Sequence, residues 1–130
     1  MHRSTFRRLP APLALMGVIF LFSAQPDLGT GLGNIDLVLR KMAHMVEFGA
    51  LCALWAWALA PSAGVRAALV AAMAISVTYA VSDEVHQTTV RGRMGSPIDV
   101  GIDTVGVVVA ALAIRYRHTR GGLSTRPRSE

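Results

Sequence analysis

The chain has 130 residues, 52% hydrophobic and 16% charged, with 13 Lys and Arg against 8 Asp and Glu and a formal net charge of +5. A water-soluble domain of this length would carry about 25% charged residues, so the composition excludes an ordinary soluble fold and leaves room for one domain, residues 1–130. The pI near 10.7 suits either nucleic acid or anionic lipid; nucleic acid is set aside because the cations flank apolar runs, where they act as topology signals.

Four apolar runs, residues 9–22, 43–60, 67–82 and 100–114, predict an all-α fold: an integral membrane bundle of four transmembrane helices. Several runs are shorter than the roughly 20 residues needed to cross about 30 Å of hydrocarbon, so their polar flanks must continue as helix inside the bundle. The first run follows Arg3, Arg7 and Arg8 and resembles a signal peptide, but Phe22, Ser23 and Ala24 make a poor small-x-small cleavage site, and the helix is expected to be retained. Gly29, Gly31 and Gly33 have no strand before them and read as an outer loop rather than a dinucleotide fingerprint.

On the second run Lys41, His44 and either Glu47 or Phe48 recur at three- or four-residue spacing and share one face. Deeper in the same run lie Gly49, Ala53, Ala56 and Ala60, together with Cys52, which is alone and reads as a small packed residue. Trp55 and Trp57 read as interfacial anchors at its far end. A turn at 61–66 leads to the third run, where Ala68, Ala72, Ser76 and Ala80 form a strip of small side chains that allows close helix approach. Tyr79, Asp83, His86 and Gln87 follow on one face, with Glu84 beside them. A loop holding Arg91, Gly92, Arg93, Gly95, Ser96 and Pro97 precedes the fourth run, which carries Asp99, Asp103, Gly106 and Ala110. The ordered core is expected to run from about residue 9 to 116, followed by a disordered basic tail, 117–130.

Orientation follows from the cations, because basic flanks of short loops stay on the cytoplasmic side. Arg3, Arg7, Arg8, Arg66, Arg115, Arg117, Arg120, Arg126 and Arg128 fall on one side with Glu130. Arg40, Lys41, Arg91 and Arg93 fall on the other with Asp27, Asp36, Glu47, Asp83, Glu84, Asp99 and Asp103. Both termini are therefore predicted to be cytoplasmic and the acidic end of the bundle to face outward.

An ionisable group in hydrocarbon costs about 2.5 to 3.5 kcal/mol on insertion scales, so a chain that keeps several must pair them or use them. Each candidate has a plain alternative. Lys41 is explained as well by snorkelling to the interface, and Glu47 by neutralising a nearby cation. His44 stands evenly between a structural and a catalytic histidine. Asp83 and Glu84 point about 100° apart on a helix, so only one can readily face the same centre as Asp103. His86 and Gln87 either continue the helix or begin the loop. Asp99, just after Pro97, could serve only the helix start, whereas Asp103, a turn deeper, has no such explanation. Arg91 and Arg93 have the forked geometry that matches phosphate or carboxylate oxygens; pairing with Asp83, Asp99 or Asp103 is the alternative.

FSAQP at 22–26, K-x-x-H-x-x-E-F at 41–48, YAVSDEVHQ at 79–87, Arg93 and the D-x-x-x-D of Asp99 and Asp103 together resemble the VanZ-like family of small bacterial membrane proteins. The resemblance covers about residues 22–106. Thr89 and Arg91 depart from it, standing where an aromatic and a proline are usual, as does Arg40, where an acidic or polar residue is often seen. It implies a multi-pass helical protein of the bacterial inner membrane with a cell-envelope role. The namesake is associated with low-level resistance to the glycopeptide teicoplanin, although a member need not confer it. The resemblance supplies no established reaction.

Two functions of different class remain in view. One is an enzyme acting on an anionic envelope lipid or precursor, with His44 or His86 as general acid or base, Glu84, Asp83 or Asp103 orienting it, and Lys41 and Arg93 holding the head group. Tyr79, Gln87, Arg91 and Asp99 would complete the binding face. No serine or cysteine stands beside a base, so water would be the attacker. The other is a binding or shielding protein that uses the same cluster without turnover. A metal site is weakly signalled, since no helix offers two histidines one turn apart, and no cofactor is expected. Proton-coupled transport ranks lower, because the inner halves of all four runs are apolar. Membrane lipids are the expected partners, and the oligomeric state is not legible.

Overall fold

Proline lacks a backbone N–H, so Pro10 and Pro12 would interrupt a helix interior but are tolerated in its first turn. In the computed structural model, which describes residues 3–26, 31 and 33–123 with side chains through Arg120, a short helix α1 (Arg3–Arg8) meets α2 (Pro10–Ser23) at this point. Hydrogen bonds from the Leu9 amide to the Thr5 carbonyl (3.2 Å) and from the Leu13 amide to the Leu9 carbonyl (3.3 Å) carry the ladder across the joint. The two form a 21-residue apolar span, Arg3–Ser23. Helix therefore begins well before the apolar run and carries Arg7 and Arg8 with it.

The third helix, α3 (Asn34–Gln87), has 54 residues and would measure roughly 80 Å if straight. Instead it folds back at Gly64, whose φ of 76° and ψ of 160° are not helical and suit a residue without Cβ. Three residues earlier Pro61 offers no N–H to the Trp57 carbonyl. Arg8 fills that vacancy: its Nη1 donates to the Trp57 carbonyl oxygen at 2.9 Å while its guanidinium lies 4.6 Å from the centre of the Trp57 ring. Trp57 thus acts at the turn end as the seat of the N-terminal helix. The two arms of α3, residues 34–63 and 65–87, run antiparallel, as the 6.2 Å approach of the Phe48 and Tyr79 rings requires.

The fourth helix, α4 (Pro97–Leu123), makes most of its contacts with α3. Glycines set the closeness of that seam. A Cβ on Gly106 would run into the Met45 backbone carbonyl, and one on Gly49 would sit 3.0 Å from the Gly106 carbonyl oxygen. The small-residue strip behaves as its spacing predicts, with Ala68, Ala72, Ser76 and Ala80 all fully buried. Ile19, Phe48, Leu51, Cys52 and Val107 complete the core. By contrast Leu21, Val70 and Val109 are exposed, as expected where the solvent is lipid.

Among the described residues there is no strand, and three helices are long and apolar enough to cross a membrane. α4 continues as helix to Leu123, so residues 117–123 extend it where the composition suggests coil. Asp27, Gly29 and the tail from 124 to 130, which also carry sequence expectations, lie outside the described residues.

Candidate functional site at the polar end of the bundle

Because α3 is a hairpin, its first and last turns come together, and the start of α4 joins them. Lys41 and His44 of the outgoing arm, Glu84 and Gln87 of the return arm, Arg93 of the loop, and Asp99 and Asp103 of α4 line one cavity of about 280 Å³. Seven of the candidate residues thus converge, although 43 positions separate Lys41 from Glu84.

Local periodicity explains who faces inward. Lys41 and His44 are three apart on one helix and Asp99 and Asp103 four apart on another, so each pair lies along one face. The Lys41 ammonium bonds Asp99 Oδ1 at 2.5 Å, with both side chains about one-third exposed. One turn deeper, His44 Nδ1 stands 3.8 Å from Asp103 Oδ1. Asp103 is only 1% exposed and its Oδ1 has no hydrogen-bond partner among the described residues. The Gly106 contact with Met45 is what brings it here, since that approach presses α4 against the residue next to His44.

Of the adjacent acids, Glu84 faces the cavity, where its Oε1 accepts the Ser96 amide and ties the loop to the return arm. Asp83 turns away into the protein, buried, and its Oδ2 accepts a 2.8 Å bond from Gln87 Nε2. Arg93 donates from Nη1 to the Ser23 carbonyl at 2.9 Å and more weakly to that of Phe22 at 3.5 Å. Its partners are neutral, so no carboxylate among the described residues cancels its charge through a salt bridge.

Besides Asp83, four candidate residues stand elsewhere. His86 follows Glu84 by two positions, about 200° around the helix, and stacks instead on Phe20 with ring centres 4.5 Å apart. The Tyr79 hydroxyl donates to the Met16 carbonyl at 2.6 Å, fastening the return arm to α2. Arg91 is exposed and outside the lining. Glu47 lines a second, adjoining cavity of about 430 Å³ between α2 and the outgoing arm. Arg40, His44 and Arg93 line both cavities.

Arg40 is the charged lining residue that the sequence motifs miss, since it stands out there only as a departure from the family pattern. A signal for it exists: Arg40, His44 and Glu47 recur at four and three residues and share a face. Near His44 and Asp103, no third His, Cys, Asp or Glu among the described residues completes a metal-binding group.

An all-helical chain with three membrane-length apolar helices and its described acidic side chains toward one end is a membrane protein. The sequence pattern of the VanZ/LLP1 family matches residues 10–118, and the chain belongs to that family. No curated protein and no solved structure matches it.

Proposed function

We propose that this protein crosses the bacterial inner membrane four times, the two arms of α3 being separate crossings, with both termini cytoplasmic. The cavity then opens toward the outer leaflet and binds the anionic head group of a cell-envelope lipid or lipid-linked precursor. The observation that carries this reading is Arg93. Among the described residues it is a guanidinium on the cavity wall bonded to neutral carbonyls, and such a fork matches phosphate or carboxylate oxygens. Lys41 and Arg40 share the wall. The orientation is supported by the segregation of charge, with Arg8 at the turn end and the acids at the cavity end. The family namesake's association with glycopeptide resistance makes envelope precursors the first molecules to try.

Binding by the purified protein in neutral nanodiscs tests the head-group reading. Arg93→Gln should weaken an anionic lipid at least tenfold and Arg93→Lys less, while Glu84→Gln, which keeps an acceptor for the Ser96 amide, should leave it unchanged or tighter. The reverse pattern would mean a cationic ligand and sink the proposal. For topology, Met94 is 92% exposed and the native Cys52 is fully buried, so Met94→Cys should react with an impermeant maleimide on intact cells. Labelling only after lysis would invert the orientation.

The His44–Asp103 approach favours a second reading, in which bound lipid is also hydrolysed. Water would attack the head group, its proton passing to His44 and then to the departing oxygen, with Asp103 orienting the ring. Asp103→Asn should then abolish product release while binding persists.

A further inference from the structure

Resting on the head-group reading, we propose that the bound molecule is an amphiphile straddling both cavities. Its anionic head occupies the first, and the start of its hydrocarbon chain occupies the second, reached sideways from the bilayer between α2 and the outgoing arm of α3. The second cavity is the larger, about 430 Å³ against 280 Å³, and Ile19, Phe22, Pro26 and Ala43 make much of its wall apolar. Arg40, His44 and Arg93 stand at the junction, where the boundary between head and tail of an anionic lipid would fall.

Position within the membrane fixes the occupant. An apolar chamber between two helices whose outer side chains face hydrocarbon is filled most favourably by hydrocarbon, since burying apolar surface releases about 25 cal/mol per Å². Leu21 and Phe22, at the end of α2, are 62% and 66% exposed, so the opening is flanked by apolar side chains. Glu47 is the carboxylate on that wall, which Arg40 and Arg93 also line. Polar ties between α2 and the rest of the bundle at this end include the Arg93 bonds to Ser23 and Phe22 and the Tyr79 bond to Met16. A soluble anion would need only the first cavity.

Two probes with the same phosphomonoester separate the cases: a long-chain isoprenyl monophosphate presented in neutral nanodiscs, and water-soluble isopentenyl monophosphate. Ala43 lines the second cavity and not the first, and is exposed, so Ala43→Trp fills the tail chamber alone. The expected result is at least tenfold weaker binding of the long-chain probe, an intermediate loss in Ala43→Leu, and binding of the short probe within twofold of wild type. Retained binding of the short probe also shows that the variant is folded. Undiminished long-chain binding in both Ala43 variants would overturn the straddling mode while leaving the head-group reading intact, as would equal affinity of wild type for the two probes. If neither probe binds the wild type, the head-group reading falls and this inference with it.

Discussion

The seam between α3 and α4 and the seam between α2 and α3 are built on opposite plans. In the first, backbone meets backbone: Gly49 and Gly106 face each other, and Gly106 leaves no space for a methyl group beside the Met45 carbonyl. In the second, helices stand apart around a cavity of about 430 Å³ and are joined at that end by side-chain bonds to the α2 carbonyls of Met16, Phe22 and Ser23. Close packing holds Asp103 in place beside His44; the looser seam leaves room for something to enter. In a lipid environment, where apolar contact alone does not drive helices together, small residues and interhelical hydrogen bonds are the two available means of joining them. The α3–α4 seam combines close backbone packing with the Lys41–Asp99 bond, whereas at its polar end the α2–α3 seam is tied by side-chain bonds to backbone carbonyls.

The largest effect expected from breaking this contrast is at Gly106. Gly106→Ala forces the α3–α4 seam apart and should cost about 3 kcal/mol, the upper part of the range for overpacking, read as a lower unfolding midpoint in detergent. Gly49→Ala, whose Cβ would meet a carbonyl at 3.0 Å, should cost less, about 1 kcal/mol. Gly101 on α4 faces open space, with nothing within 4 Å of where a Cβ would stand, so Gly101→Ala should gain up to about 1 kcal/mol from helix propensity. A comparable loss at Gly101 and Gly106 would mean that close approach is not what the seam requires. At the looser seam, Tyr79→Phe removes a single 2.6 Å bond to the Met16 carbonyl and should cost about 0.5 to 1.5 kcal/mol. A loss as large as that at Gly106 would show that α2 is held as rigidly as α4.

Much of this is legible in the residue order. The small strip from Ala68 to Ala80 is buried as its four-residue spacing requires. The spacing of Lys41 with His44 and of Asp99 with Asp103 places each pair on one face, and all four reach the same cavity. His86 departs from expectation because a motif written linearly hides the turn of the helix: two positions from Glu84 is the far side. Tyr79 shares the helical face of Asp83, yet its hydroxyl donates to the Met16 carbonyl of α2, a partner that no spacing rule names. Arg40 is hidden by its neighbour Lys41, which starts the family motif, although its four-residue spacing to His44 is present.

By itself the sequence determined the solvent and the main elements: too few charges for water, runs too apolar to be anything but helix in lipid, and a turn within 61–66. These are properties of single residues and their periodicity, so they need no knowledge of neighbours. Only the tertiary structure decided which acid of the Asp83–Glu84 pair faces the cavity, that Arg93 donates to neutral carbonyls, and that the polar end contains two chambers sharing Arg40, His44 and Arg93 in their walls. Each depends on the distance and rotation between helices. Those are set where one backbone stops against another, at Gly106 and Met45, and no local pattern encodes that contact.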